Sequence, residues 1–193
     1  DTPGLSFGAE ERKMGWNAQP TRAVILDGAR VPVANRLGPE GAGFRIAMAG
    51  LDGGRLNIGA CSLGGAQAAL DKTLDYMSAR RAFGKSLDQF QALQFKLADM
   101  ASRITAARAL LHATARAKDA GAPITQYGSM CKLLASETAM WVTTQAVQIF
   151  GGYGYVTEYP VERLFRDAKV TEIYEGTSEV QRIVIARELY SRS

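Results

Sequence analysis

The chain is poor in the residues on which much enzyme chemistry depends. It contains one histidine, His112, and two cysteines, Cys61 and Cys131, in 193 residues. One histidine leaves little material for a Ser-His-Asp triad or a histidine-rich metal centre, and no metal site is expected. The cysteines lie far apart among apolar neighbours, with neither a CxxC motif nor a ligand spacing. They read as two buried thiols in a reducing compartment. No apolar run approaches the roughly 20 residues needed to cross a bilayer, so no membrane span is expected. No signal-peptide pattern opens the chain, and its first residues read as the interior of a longer protein. No block of like charge or arginine-aromatic interleaving occurs, so the formal charge of +4 does not point to nucleic acid. The scattered arginines suit solvated helix faces, and equally an anionic small ligand such as a nucleotide.

What is present is an ordinary soluble composition, 47% hydrophobic and 22% charged, in a chain long enough for one well-cored domain plus part of another. Residues 1–37 carry strand and turn signals. Thr21–Leu26 is a β-prone run, Asp27-Gly28 a turn dipeptide, and Arg30–Val33 a second short extended piece with Pro32 at an edge or end. Two such strands cannot bury a core alone, so this stretch reads as the end of a larger sheet. From Phe44 onward the spacing is helical. Leu93, Leu97, Met100, Ile104, Ala107 and Leu111 recur at steps of four and three and share one helix face within 87–120. Gly121-Ala122-Pro123 ends that helix, and a second runs to Phe150, where Gly151-Gly152-Tyr153-Gly154 stops it.

A short helix over 161–166 and a last one over 177–190 complete the set, with Ser178 and Gln181 matching a capping box. The stretch 44–80 is open to two readings. Gly53-Gly54 and Gly64-Gly65 weaken a helix by about 1 kcal/mol per glycine, yet one long buried helix with close glycine contacts is equally allowed. Three long helices and a shorter one, joined by short connections, read as an antiparallel four-helix bundle.

Glu175 lies in a loop between two helices, after Ile173-Tyr174 and before Gly176. On its residues alone it is a solvated carboxylate, an anion near the following helix N-terminus, or a general base if apolar surroundings raise its pKa. Its wider context points one way. Glu175-Gly176-Thr177-Ser178-Glu179-Val180-Gln181-Arg182 resembles the C-terminal signature of the acyl-CoA dehydrogenases. So do Arg80-Arg81-Ala82-Phe83-Gly84-Lys85 with Gln91 and Ala98-Asp99-Met100. Gln148-Ile149-Phe150-Gly151-Gly152-Tyr153-Gly154-Tyr155 and the following Glu158-Tyr159-Pro160 and Arg166-Asp167-Ala168 are similar too. The blocks stand in the family's order and together span essentially the whole chain.

The resemblance implies an FAD-dependent oxidoreductase acting on an acyl-CoA. In the family a glutamate at the Glu175 position takes the α-proton of the thioester and a β-hydride passes to the flavin, giving a 2-enoyl-CoA. The developing enolate oxygen needs fixed donors, which the family supplies from that glutamate's N–H and a ribityl hydroxyl. Arg80, Phe83, Gln91, Gln148, Ile149, Gly151 and Gly152 match positions that hold the FAD of a neighbouring subunit, Arg80 being suited to the pyrophosphate. Thr177 and Glu179 match further FAD positions, although many members carry Gln where Glu179 stands. Asp52 and Arg55, with Tyr174, Gly176 and Arg187, match the acyl-CoA side. For Arg187 alone, a charge complementing a helix C-terminus is an equal reading.

Isovaleryl-type and long-chain members place their base at the Gly54 position, and Gly54 has no carboxylate. Gly15–Thr21, Val31–Arg36 and Gly50–Ile58 look most like the isobutyryl-CoA members, which implies a short branched substrate, isobutyryl-CoA, and a place in valine breakdown. The implied fold is the end of a middle β-domain, 1–37, followed by the C-terminal helical bundle, 38–193. The implied partners are acyl-CoA, electron-transfer flavoprotein and three further copies in a dimer of dimers, in the bacterial cytoplasm or mitochondrial matrix. Open alternatives are another short-chain specificity, an acyl-CoA oxidase, and a helical oligomerisation fragment without catalysis. The isolated 193-residue chain is expected to bind FAD weakly and not to turn over. Flavin absorbance after gel filtration, with a dye-linked isobutyryl-CoA assay, checks this, and a yellow, active preparation contradicts it.

Overall fold

The computed structural model describes residues 2–191. A two-stranded antiparallel ribbon pairs β1 (Leu5–Phe7) with β2 (Val24–Leu26), Leu5 opposite Leu26 and Phe7 opposite Val24. All six residues are exposed. The expected second extended piece at 30–33 does not form a strand. Pro32 instead precedes a single 3-10 turn at Val33–Asn35, because proline donates no ladder hydrogen bond. The preceding stretch is anchored elsewhere: Trp16 N–H donates to Asp167 Oδ1 at 2.5 Å and Arg166 donates to the Met14 carbonyl at 2.7 Å.

The glycine-rich stretch is one helix, α1 (Gly43–Ala79), of 37 residues. A Cβ on Gly59 would sit 2.7 Å from Leu111 and 3.8 Å from the Ala135 side chain, so this glycine lets α1 approach its neighbours. Gly64 and Gly65 play no such part, since a Cβ on either would meet nothing within 4 Å. The expected close contact at that pair is therefore corrected: it falls at Gly59. After α1 comes a small hairpin, β3 (Arg81–Ala82) with β4 (Lys85–Ser86), which the spacing did not announce. Its two-residue turn puts Phe83 at φ 51° and Gly84 at φ 82°, the paired left-handed conformations of a type I′ turn.

Helix α2 (Gln91–Asp119) follows, starting four residues later than its apolar pattern because Leu87–Gln89 form a 3-10 turn. It ends in a Schellman motif: Ala122 N–H bonds the Ala117 carbonyl, Gly121 N–H bonds that of Lys118, and Gly121 takes φ 78°. The five residues between α2 and α3 (Thr125–Phe150) turn the chain back antiparallel. α4 (Val161–Val170) is four residues longer than expected, and α5 (Ser178–Tyr190) closes the set.

α3 is the central helix and packs on α1, α2, α4 and α5. Its buried Cys131, Ala135, Ala139, Val142 and Ala146 recur at steps of four and three, and their small size lets several neighbours approach one axis. The expected α2 stripe holds: Met100, Ile104, Ala107 and Leu111 are buried, and Leu93 and Leu97 pack against the same core. Cys131 is buried as expected. Cys61 is exposed, because it lies on the outer face of α1 while its neighbours Ser62 and Leu63 turn inward.

The glycine contacts give a paired prediction. Gly64→Ala is expected to stabilise the chain by about 1 kcal/mol. Gly59→Val is expected to destabilise it by about 1–3 kcal/mol through overpacking against Leu111. Urea unfolding of the two variants measures both signs.

Candidate active site

Four helices converge on the loop between α4 and α5. The loop is closed by its own backbone, Tyr174 N–H bonding the Val170 carbonyl and Ser178 N–H the Glu172 carbonyl. It then takes two successive left-handed residues, Glu175 at φ 55° and Gly176 at φ 87°. Glycine adopts this freely, whereas a glutamate in this region costs roughly 1–2 kcal/mol, so the turn needs external support. Gln181 provides part of it, its Nε2 donating to the carbonyls of both Glu175 and Gly176 at 3.0 Å. Lys132, reaching from α3, donates to the Gly176 carbonyl at 2.7 Å.

α5 is capped by Thr177, not by Ser178 as the capping-box spacing predicts. Thr177 is extended and its hydroxyl accepts from Val180 N–H. The reason is that Gln181, the other half of the expected box, faces back to the turn carbonyls, while the Ser178 hydroxyl is buried without a partner.

The supported turn aims the Glu175 carboxylate at Gly54 of α1. A Cβ there would stand 2.9 Å from Glu175 Cδ and 3.2 Å from Oε1, and closer still to Oε2, so only glycine admits the carboxylate. Oε2 is buried and has no hydrogen-bond donor among the described residues. Beside it, burial first, then the Cys61 thiol and the Glu175 carboxylate, push the Tyr174 phenol up to about 12. Trp16 meets the Tyr174 ring edge-on at 6.0 Å.

One residue beyond Gly54, Arg55 is buried and donates to Asp52 at 2.7 Å, while the Thr125 hydroxyl bonds the other Asp52 oxygen at 3.2 Å. The structure thus gathers Asp52, Arg55, Tyr174, Glu175 and Gly176. Arg187 is not gathered: it is exposed in the last turn of α5, 3.5 Å from Glu188, and no ion pair among the described residues joins it to the loop.

The remaining expected residues fall in other places. Arg80, Gly151 and Gly152 line an open cleft of about 800 Å³ at the ends of α1 and α3. There Tyr76 stacks on Phe150 at 3.9 Å, and Arg80 lies 5.1 Å over the Tyr153 ring. A Cβ on Gly151 or Gly152 would meet nothing within 4 Å, which leaves their surface open. Ile149 is buried beneath the cleft, and Gln148 is exposed. Phe83 stands 97% exposed at the strained hairpin turn, and Gln91 is exposed at the first residue of α2. Thr177 and Glu179 sit apart, at the α5 N-terminus. Hydrogen bonds from its own N–H and from Thr177 hold the Glu179 carboxyl below the usual range. A cationic side chain over an aromatic floor and two side-chain-free residues fit the nucleotide end of a dinucleotide cofactor.

Lys132 and Thr125 escaped the sequence reading. The signal for Lys132 was its register: it sits four residues after buried Gly128 and three before buried Ala135 on the inner face of α3.

A helical bundle that presents an unpaired carboxylate to a glycine gap has the form of an acyl-CoA dehydrogenase C-terminal domain. Residues 41–190 match the family described as "Acyl-CoA dehydrogenase, C-terminal domain", and the chain belongs to the acyl-CoA dehydrogenase family. It is 52% identical over 190 residues to a mitochondrial isobutyryl-CoA dehydrogenase of Dictyostelium discoideum, covering 98% of this chain and 46% of that protein. It is 51% identical over 191 residues to an acryloyl-CoA reductase (NADH) of Anaerotignum propionicum, covering 99% and 48%. Among solved structures it matches butyryl-CoA dehydrogenase from Megasphaera elsdenii with a TM-score of 0.96 and 50% identity, over 98% of this chain and 49% of that one. The chain therefore spans about half the length of the relatives it matches.

The raised Tyr174 pKa gives a titration. Between about 10 and 12 the folded protein keeps a phenolic proton that the unfolded chain releases, so this group's contribution to stability falls as pH rises through that range. Ultraviolet phenolate titration is expected to show a tyrosine ionising near 12 that Tyr174→Phe removes.

Proposed function

We propose that the chain forms the C-terminal half of an FAD-dependent enzyme that dehydrogenates a short branched acyl-CoA, isobutyryl-CoA, between its α- and β-carbons, with Glu175 as the base. The observation that carries this is the Glu175 carboxylate, held against Gly54 with an oxygen that no donor occupies. Such an oxygen has a lone pair free to take a proton. The Glu175 N–H has no acceptor among the described residues either, so it is available to the thioester oxygen as negative charge develops there. Bound FAD would supply the hydride acceptor for the β-carbon. Arg80, Gly151 and Gly152 would hold its nucleotide end, with Phe83, Gln91, Gln148 and Ile149 around them and Thr177 and Glu179 at the second place. The separation of these places on one chain supports an assembly in which cofactor and base come from different copies, as a dimer of dimers would give. Asp52, Arg55, Tyr174 and Gly176 would line the acyl-CoA path, and Arg187 would meet the substrate only from the far end of α5.

In the same reading residues 1–37 close the preceding β-domain, and electron-transfer flavoprotein takes the electrons onward. No described helix is long and apolar enough to cross a membrane. The similarity to an acryloyl-CoA reductase favours a second reading, in which the same carboxylate, protonated, returns a proton to the α-carbon during reduction.

The test uses a protein joining this chain to the half of the family fold that it does not span. Glu175→Gln is expected to lower isobutyryl-CoA dehydrogenation by on the order of 10³-fold while flavin content holds. Retained activity would sink the assignment. The ratio of kcat/KM for isobutyryl-CoA and butyryl-CoA tests the branched preference, and the NADH-linked reduction of acryloyl-CoA tests the second reading.

A further inference from the structure

Lys132 is the largest fully buried side chain among the described residues. Burying an ammonium is costly unless it is paired, and lysine is almost never fully buried without a carboxylate. Lys132 has no carboxylate within ion-pair distance among the described residues, and its one hydrogen bond is to the carbonyl of Gly176 at 2.7 Å. That carbonyl also accepts from Gln181, so the lysine is not needed merely to satisfy it. An apolar residue would fill the same place on α3 with a smaller penalty. What the lysine adds is a cation under the left-handed turn.

We propose that Lys132 is a positioning residue for the Glu175 base: it clamps the Gly176 peptide from the core and thereby fixes the carboxylate against Gly54. This rests on the reading of Glu175 as a base. The turn has two supports from different helices, Gln181 on α5 and Lys132 on α3, and only Lys132 comes from the helix that packs on all the others. Its own charge is set by its surroundings. The groups around it are Glu172 and Glu175 from the loop, Glu179 from α5 and Arg55 from α1. The three carboxylates favour the ammonium, Arg55 opposes it, and burial, the largest influence, draws the lysine below its ordinary range.

The test compares wild type with Lys132→Met in the flavin-loaded, full-length protein. Methionine keeps the length and removes both the donor and the charge. The expected result is a kcat lowered by about 10–100-fold with KM for the acyl-CoA changed less than about threefold, as loss of alignment predicts. Amide hydrogen exchange over residues 173–177, which needs no turnover, is expected to quicken. A Lys132→Met protein with wild-type kcat and unchanged exchange overturns the proposal. If Lys132→Met and the polar Lys132→Gln both fail to load flavin, Lys132 is a folding residue and the positioning role is wrong. A wild type that exchanges no α-proton of the substrate with deuterated solvent sinks the reading of Glu175 instead, and the loop exchange then still decides whether the clamp exists.

Discussion

The contact on which the candidate site depends is a left-handed turn pressed against a helix that lacks a side chain. Glu175 and Gly176 take positive φ in succession, and the carboxylate that results lies where a Cβ on Gly54 would be. Neither half works alone. A glutamate in the ordinary helical or extended region would direct its side chain elsewhere, and any residue but glycine at 54 would push it away. The two glycines therefore serve different ends: Gly176 frees the backbone, and Gly54 frees the space. Because α1 and the turn are remote in sequence, their alignment has to come from the packing of the bundle.

That packing explains why α3 is central. It is lined by small residues, so α1, α2, α4 and α5 all approach it, and the turn is braced through it. Several of the packed elements contribute groups around the turn. α1 gives Gly54 and Arg55, α3 gives Lys132, α5 gives Gln181, and the N-terminal stretch, tied to α4 through Asp167 and Arg166, brings Trp16 to the Tyr174 ring. Altering the packing of any one of these helices shifts a contact to the turn, which gives the bundle a stake in the chemistry well beyond its stability.

The sequence made parts of this legible and hid others for physical reasons. The amphipathic stripe of α2 was readable because Met100, Ile104, Ala107 and Leu111 obey one period and one burial rule. Glu175 was readable only through the blocks around it, since a loop carboxylate by itself carries no mark of its surroundings. The α1 stretch was undecided because glycine's helix penalty and its packing benefit have opposite signs, and the sign differs along one helix: Gly59 touches its neighbours and Gly64 touches none. The cap fell one residue early because Gln181 turns back to the Glu175 and Gly176 carbonyls of the preceding turn instead of completing the capping box. Cys61 was expected to be buried from its apolar neighbours, yet helical rotation places adjacent residues on different faces. Lys132 was passed over because lysine is normally solvated, and only its register with Gly128 and Ala135 betrayed it.

Polar atoms left without partners gather at the same place. Six buried side-chain polar atoms lack a hydrogen bond among the described residues: Arg55 Nε, Gln126 Oε1, Tyr174 Oη, Glu175 Oε2, Ser178 Oγ and Gln181 Oε1. Four belong to residues that form or brace the turn, Arg55 follows Gly54 and bonds Asp52, and Gln126 follows Thr125, which also holds Asp52. Each such atom costs on the order of 1–3 kcal/mol when nothing replaces water around it. If these were packing faults they would be scattered through a bundle of this size. Their concentration around one left-handed glutamate, among the described residues, is what is expected where local rules yield to a site's needs. The buried lysine belongs to the same pattern, since its unpaired charge is tolerated where the Gly176 carbonyl has to be held.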